Sequence, residues 1–143
     1  MKETVRARSE EETCEVARRL ALSLEPGAVV LLLGDLGAGK TTFVRGMAPA
    51  FGIASDQICS PTFTLLQEYR GPRLTLYHAD LYRLEGLEAD DLGLEDLPVG
   101  SSVLVVEWAE KLPHPFPGAI RVTIADLGGD EREITIEKTE PKA

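Results

Sequence analysis

The feature that most constrains this chain is an apolar run that leads directly into a glycine-rich loop. Residues 28–33 are all apolar, and residues 34–41 read Gly-Asp-Leu-Gly-Ala-Gly-Lys-Thr, the pattern G-x-x-x-x-G-K-T. The residues that follow, 42–48, are typical of a helix. A buried strand, a glycine loop and a helix in this order predict a phosphate-binding P-loop.

Each residue type in this loop has a chemical reason to be there. The glycines permit turns that a Cβ would forbid, so backbone N–H groups can point at a phosphate, and the helix N-terminus adds partial positive charge. Lys40 supplies a charge to the terminal phosphates, and the Thr41 hydroxyl is the expected Mg²⁺ ligand. The predicted nucleotide-binding residues are Asp35, Leu36, Gly37, Ala38, Gly39, Lys40, Thr41 and Thr42.

The remaining periodicities predict a mixed α/β fold. Ser9 and Glu12 form a capping-box pattern that starts a helix, which ends at Pro26-Gly27. Alternating segments predict two antiparallel hairpins, and residues 85–97 indicate one or two short helices. The hairpin strands are 65–69 with 74–78, and 119–125 with 133–137 around Gly128-Gly129. Residues 103–106 are continuously apolar, which predicts a strand buried on both faces.

We therefore expect a P-loop NTPase-like sheet that is parallel around the P-loop strand, has antiparallel hairpins at its margins and is flanked by helices. The chain has 143 residues, enough for one domain with a real core. The predicted domain is 1–139, followed by a frayed tail at 140–143.

Hydrolysis also needs an acid that holds Mg²⁺ and orients water, usually after a strand next to the P-loop strand. Glu107 follows the buried strand and has the position of a Walker B carboxylate, and Asp80 follows the second hairpin strand. The catalytic candidates are thus Lys40, Asp80 and Glu107, and the metal candidates are Thr41, Glu107 and Asp80. The spacing does not rank the two acids. Thr62, after Pro61, is either a switch-type threonine or an ordinary turn hydroxyl.

Other polar residues have competing interpretations. His78 is more typical of a strand histidine with satisfied hydrogen bonds than of a catalyst. Trp108 is either a core aromatic or, at the edge of a site, a reporter of nucleotide occupancy. Arg45 and Arg83 are the candidates for a cation near the terminal phosphate, although a surface or partner-facing role suits Arg45 better.

Charge and composition narrow the functions further. The net charge of −9 argues against direct RNA binding but allows docking on a basic protein surface. Cys14 and Cys59 have no neighbouring His in sequence, so neither a disulfide nor a catalytic thiol is expected. No apolar run approaches the roughly 20 residues that cross a membrane, and residues 1–6 give no sign of a signal peptide. We expect a cytoplasmic protein.

The chain lacks Asn and any guanine-reading N-K-x-D or T-K-x-D pattern, which favours adenine by elimination. It also lacks a long arginine-rich lid, which argues against a small-molecule or nucleotide kinase. No certain arginine completes the site, so slow ATP hydrolysis is expected from the chain alone. A nucleotide-dependent binding switch with negligible turnover stays open.

Four motifs in a fixed order resemble the bacterial TsaE (YjeE) family, the ATPase of tRNA threonylcarbamoyladenosine biosynthesis. They are G-D-L-G-A-G-K-T-T at 34–42, S-P-T-F at 60–63, H-x-D-L-Y-R-L at 78–84 and L-V-V-E-W at 104–108. The resemblance implies an ATPase that works with TsaB and TsaD to modify the adenosine next to the anticodon, in tRNAs that read codons starting with A. It implies ATP and Mg²⁺ as cofactors, with tRNA met only through the complex. It also implies nucleotide contacts from Ser9 and Arg132, metal contacts from Glu107, support from Asp80 and a switch-like loop at Thr62.

Overall fold

The computed structural model describes residues 2–34, 39–58, 66–81, 100–109 and 118–138. Within these ranges the chain forms two α-helices, two 3₁₀ turns and one sheet of seven strands. The elements are β1 (Lys2–Ala7), α1 (Glu10–Leu22), β2 (Val29–Leu33), α2 (Lys40–Met47), β3 (Leu66–Arg70), β4 (Thr75–Asp80), β5 (Ser102–Glu107), β6 (Ile120–Gly128) and β7 (Glu131–Lys138), with 3₁₀ turns at Ala48–Phe51 and Ser55–Gln57. The helices predicted in 85–97 and the tail at 140–143 lie outside the described residues.

The strand order is β1-β7-β6-β2-β5-β4-β3. Strands β6, β2, β5 and β4 run parallel, with the P-loop strand β2 between β6 and β5. Antiparallel strands complete both margins, β7 and β1 on one side and β3 on the other. This arrangement confirms the predicted fold class.

Helix α1 begins where its capping pattern predicts. The Glu12 N–H donates to Ser9 Oγ at 3.1 Å, and the Glu12 carboxylate accepts from the Arg8 N–H at 3.2 Å. The reciprocal bond therefore goes to the residue before the cap rather than to the cap itself. The bond to Ser9 satisfies one of the backbone donors that the first helical turn leaves without an intrahelical partner.

Both predicted hairpins are confirmed, with strand ends that differ from the predicted ones by one to three residues. Strands β3 and β4 pair from Leu66 with Ala79 to Arg70 with Thr75. Strands β6 and β7 extend to a turn at Gly128-Gly129, where both glycines have positive φ. Asp126 Oδ1 accepts from the Gly128 N–H at 2.8 Å, which stabilises this turn.

Strand β1 has no counterpart among the sequence predictions. It pairs only with β7, at the edge of the sheet, and its residues from Lys2 to Arg6 are exposed or half-buried. An edge strand with little burial carries no apolar alternation, so its pattern does not predict a strand. Its pairing partner lies more than a hundred residues away along the chain.

The sheet separates two apolar clusters. Helices α1 and α2 pack on one face, against side chains such as Val30, Leu32 and Val105. The other face includes Leu31 and Leu104. Strand β5 is buried along its whole length, as its sequence predicts. Neither helix in the described ranges has the length and hydropathy to cross a membrane.

Gly46 sets how closely the two helices approach. A Cβ at Gly46 would lie 2.7 Å from Cys14 Cα and 2.9 Å from Ala17 Cβ, distances that packed atoms do not tolerate. We expect Gly46→Ala to lower the free energy of unfolding by about 1–2 kcal/mol, because overpacking outweighs the roughly 1 kcal/mol that Ala gains in a helix. Urea denaturation measures this. Gly100→Ala is the control, since a Cβ there meets no atom within 4 Å; equal stability of the two variants would contradict the packing argument.

Candidate functional site

The carboxyl ends of three parallel strands meet at one edge of the sheet. The register pairs Glu107, the last residue of β5, with Leu32 of β2 on one side and with Asp80 of β4 on the other. Helix α2 begins at Lys40, after the loop that leaves β2. In open α/β sheets this edge is where ligands bind. The fold thus brings the predicted Lys40, Thr41, Asp80 and Glu107 to a common location.

The structure describes a glycine at each end of the predicted P-loop, and both have backbone conformations that residues with a side chain rarely adopt. Gly34 has φ 144° and Gly39 has φ 102°, and Gly39 is the N-cap of α2. A Cβ at Gly39 would also lie 3.6 Å from Arg132 Nε. The predicted phosphate-binding residues 35–38 lie outside the described residues.

Lys40 is buried, with 4% of its surface exposed. Its Nζ donates to the Gly34 carbonyl oxygen at 2.5 Å and lies 3.4 Å from the centroid of the Trp108 ring. The ammonium is therefore held at the start of the loop by a carbonyl and by a cation–π contact. Of the two interpretations of Trp108, this contact favours a position at the edge of the site.

Trp108 itself has an unusual backbone. Its φ is 59°, which makes it the non-glycine residue with positive φ in the described part of the chain. Such a conformation costs energy for a bulky residue and is held only by its surroundings. It comes directly after Glu107, so the chain turns sharply where the acid leaves the sheet.

Thr41 and Glu107 contact each other across the site. Thr41 Oγ1 donates to the carboxylate, 3.0 Å from Oε2 and 3.2 Å from Oε1. Glu107 is 3% exposed, and Asp80 on the neighbouring strand is 9% exposed. Buried carboxylates need partners that offset lost hydration, and Thr41 is one of those partners.

A second partner of Glu107 is His78, which is fully buried. His78 Nε2 lies 2.5 Å from Glu107 Oε2. His78 Nδ1 has no hydrogen-bond partner among the described residues. The expectation of a histidine with satisfied hydrogen bonds is thus met at one ring nitrogen and fails at the other.

The oxygen donors present suit a hard divalent cation such as Mg²⁺. A hydroxyl and a carboxylate lie within hydrogen-bonding distance of each other, and a second acid stands at the adjacent strand end. Within the described ranges no group of three or more His, Cys, Asp or Glu side chains could hold a metal. Mg²⁺ needs no such cage, because it usually takes one or two protein ligands and fills its coordination with phosphate and water.

A small cleft of about 110 Å³ adjoins the start of α2. Its lining comes from the first turn of α1, the N-terminus of α2 and the β6–β7 turn. The lining residues are Glu10, Thr13, Gly39, Thr42, Asp130 and Arg132. Thr42 Oγ1 donates to Glu10 at 3.5 Å. Arg132 Nη1 donates to Asp126 Oδ1 at 3.1 Å, which orients the guanidinium beside the loop.

Of the two additional nucleotide contacts predicted from the family resemblance, one lines this cleft and the other does not. Arg132 lines it, whereas Ser9 does not line it and uses its hydroxyl as the α1 cap. Thr13 lines the cleft instead, and its buried Oγ1 has no partner in the described part of the chain. Sequence reasoning missed Thr13, although a polar residue in the apolar stripe that continues at Val16, Ala17 and Leu20 was the available signal.

The remaining candidates have contacts away from Thr41 and Glu107 or lie outside the described residues. Arg45 Nε donates to the Ile58 carbonyl oxygen at 3.1 Å, so it ties α2 to the segment that precedes Ser60. Burial, aided by Glu10 and Glu11, raises the pKa of the Cys14 thiol, which disfavours the nucleophilic thiolate. Thr62, Arg83 and Cys59 lie outside the described residues.

Comparisons with known proteins agree with this architecture. A family model described as Threonylcarbamoyl adenosine biosynthesis protein TsaE matches residues 7–134. The tRNA threonylcarbamoyladenosine biosynthesis protein TsaE of Bacillus subtilis (strain 168) is 46% identical over 126 residues, which cover 87% of this chain and 78% of that protein. The protein of the same name from Treponema pallidum (strain Nichols) is 43% identical over 132 residues, covering 91% and 96%.

A solved structure gives the same result in three dimensions. The crystal structure of YdiB from Bacillus subtilis superimposes with a TM-score of 0.76 at 39% identity, covering 98% of this chain and 87% of that one. The motif order, the fold and the relatives all agree. This chain belongs to the TsaE family.

Proposed function

We propose that the chain is a magnesium-dependent ATPase of tRNA threonylcarbamoyladenosine biosynthesis that hydrolyses ATP slowly alone. Its family acts in that biosynthesis. In this proposal ATP use is coupled to partner proteins TsaB and TsaD, which attach the threonylcarbamoyl group to the adenosine next to the anticodon, in tRNAs that read codons starting with A. The observation that carries the proposal is the direct contact of Thr41 with Glu107 beside Lys40.

The phosphate end of the nucleotide would lie over the P-loop. Backbone N–H groups of 35–39 and the first turn of α2 would bind the phosphates, with Thr42 at the helix start. Lys40 would exchange its contacts to Gly34 and Trp108 for the terminal phosphates. An ammonium gains more from phosphate oxygens than from a carbonyl oxygen or a ring, because the phosphate carries full negative charge.

Thr41 and Glu107 would hold Mg²⁺, with Asp80 in support of the metal and the attacking water. When bound, Mg²⁺ neutralises charge that develops between the outer phosphates. The Thr41 hydroxyl would then turn from Glu107 toward the ion. Thr62 is proposed to belong to a switch-like loop that meets the same phosphates.

The nucleoside end would use the cleft beside α2. Arg132 offers positive charge near Gly39, and Thr13 has a buried hydroxyl that needs a partner. Both support binding of the ribose or base there. Ser9 would contribute through the position of α1 rather than through its capped hydroxyl.

The contacts of two described arginines support slow turnover by the chain alone. In the described part of the chain, Arg45 donates to Ile58 and Arg132 donates to Asp126 and to the Gly129 carbonyl oxygen. An arginine supplied to the transition state is worth about 10³–10⁵ in rate in related enzymes. The partner complex would supply the missing group or order it.

Phosphate release from Mg·ATP tests the proposal. We expect turnover by the isolated protein far below the enzyme median of about 10 s⁻¹, and stimulation when TsaB, TsaD and tRNA are added together. Rapid hydrolysis by the chain alone would contradict the proposal. ATP binding without stimulated release would favour a binding switch, and a phosphorylated small acceptor would favour a kinase.

A further inference from the structure

We infer that His78 is a positioning residue that fixes the Glu107 carboxylate in the orientation needed to hold the cation of a bound Mg·nucleotide. The inference rests on the proposed function, since it assigns a partner to the proposed metal ligand. His78 touches neither the nucleotide nor the ion in this account, and it acts through Glu107.

The geometry distinguishes the two carboxylate oxygens. Oε2 lies 2.5 Å from His78 Nε2 and accepts from Thr41 Oγ1 at 3.0 Å, whereas Oε1 has the longer Thr41 contact of 3.2 Å. A carboxylate that binds a cation only accepts hydrogen bonds, so this inference places the ring proton on Nε2. His78 therefore contacts one oxygen of Glu107, and Thr41 contacts both.

Strand pairing sets the position of His78 relative to Glu107. His78 and Asp80 are alternate residues of β4, so they lie on the same face of the sheet as Leu76. Leu76 belongs to the apolar cluster on the face covered by α1 and α2. The register sets His78 opposite Val105, two residues before Glu107 on the same face of β5. The ring itself is fully buried.

An apolar side chain would suit such a buried position better if packing were its only role. His78 instead leaves Nδ1 without a partner among the described residues, which is costly in a protein interior. Buried unsatisfied polar atoms are few in native structures, and each calls for an explanation. The bond from Nε2 to Glu107 supplies one.

Two amide variants separate positioning from packing. Glutamine at 78 can place a donor near Nε2, whereas asparagine reaches only the position of Nδ1, which faces no partner. The measurement is calorimetric affinity for a non-hydrolysable ATP analogue, with excess Mg²⁺ and again with EDTA. Removing an outer-shell partner costs about 10–100-fold in metal affinity. We expect His78→Asn to reduce by about tenfold or more the gain in nucleotide affinity that Mg²⁺ gives the wild-type protein. Its affinity in EDTA should equal that of the wild type. His78→Gln should recover most of the lost Mg²⁺-dependent affinity.

The pairing with Glu107 has its own check. In the Glu107→Gln background, His78→Asn should change the Mg²⁺ response no further, because the carboxylate it positions is already gone. An unchanged response of His78→Asn in the wild-type background would overturn the inference, as would an equal loss of affinity with and without Mg²⁺. A wild-type protein that binds no nucleotide would overturn the proposed function as well.

If the asparagine variant does not fold, nitrogen-15 NMR of the wild-type histidine ring decides the matter. A protonated Nε2 whose resonance moves in Glu107→Gln supports the inference. An unprotonated Nε2 overturns it.

Discussion

Lys40→Ala is expected to weaken binding of Mg·ATP by about 10–100-fold, because it removes a charge-assisted bond worth roughly 1.5–3 kcal/mol. Lys40 is buried at the start of α2, and its ammonium sits at the mouth of the loop. Calorimetric titration with a non-hydrolysable analogue measures the loss.

The matched control removes the same charge from the edge of the sheet. Lys2 is exposed on β1, so Lys2→Ala should leave nucleotide affinity within about twofold, as distant surface charges are screened. Equal affinity of wild-type protein and Lys40→Ala would contradict the site.

Trp108 provides a second readout of the same event. The chain contains one tryptophan, and its ring lies 3.4 Å from Lys40 Nζ. Nucleotide that draws the ammonium away should change the emission of the wild-type protein. The same addition to Lys40→Ala should change it less, since no cation leaves the ring.

Glu107→Gln is expected to lower partner-stimulated phosphate release by about 10²–10³-fold, the usual loss when one preorganised polar group of a reaction centre is removed. The amide keeps the volume and can still accept from Thr41 and His78, so the fold should persist. Nucleotide affinity with Mg²⁺ should fall by about 10–100-fold, at least as much as in His78→Asn, but by less than turnover, because the phosphates keep Lys40 and the loop. Single-turnover phosphate release and calorimetry on one preparation separate the two effects.

The control again removes one negative charge at an exposed position. Glu137→Gln on β7 should leave both quantities near wild type. Equal losses of binding and turnover in Glu107→Gln would show that Glu107 is structural. Asp80→Asn measured in parallel ranks the two acids, since the one nearer the metal should depend more steeply on Mg²⁺ concentration.

Local patterns were sufficient for much of the fold. The P-loop strand, the cap at Ser9 and both hairpin turns each depend on residues within about a dozen positions of one another, so their sequences predict them. The burial of β5 along its whole length was also predictable, because a strand covered on both faces needs an unbroken apolar run. Strand β1 was not, since its pairing with β7 depends on the far end of the chain.

By itself the sequence determined that this chain carries a P-loop in an α/β fold, with acids at two strand ends and the motifs of the TsaE family. Only the tertiary structure decided which groups touch. Thr41 and Glu107 are 66 residues apart, and His78 and Glu107 are 29 apart, yet both pairs form hydrogen bonds. The physical reason is strand register: the parallel pairing of β4, β2 and β5 sets these side chains at one edge, and no local pattern specifies register between distant strands.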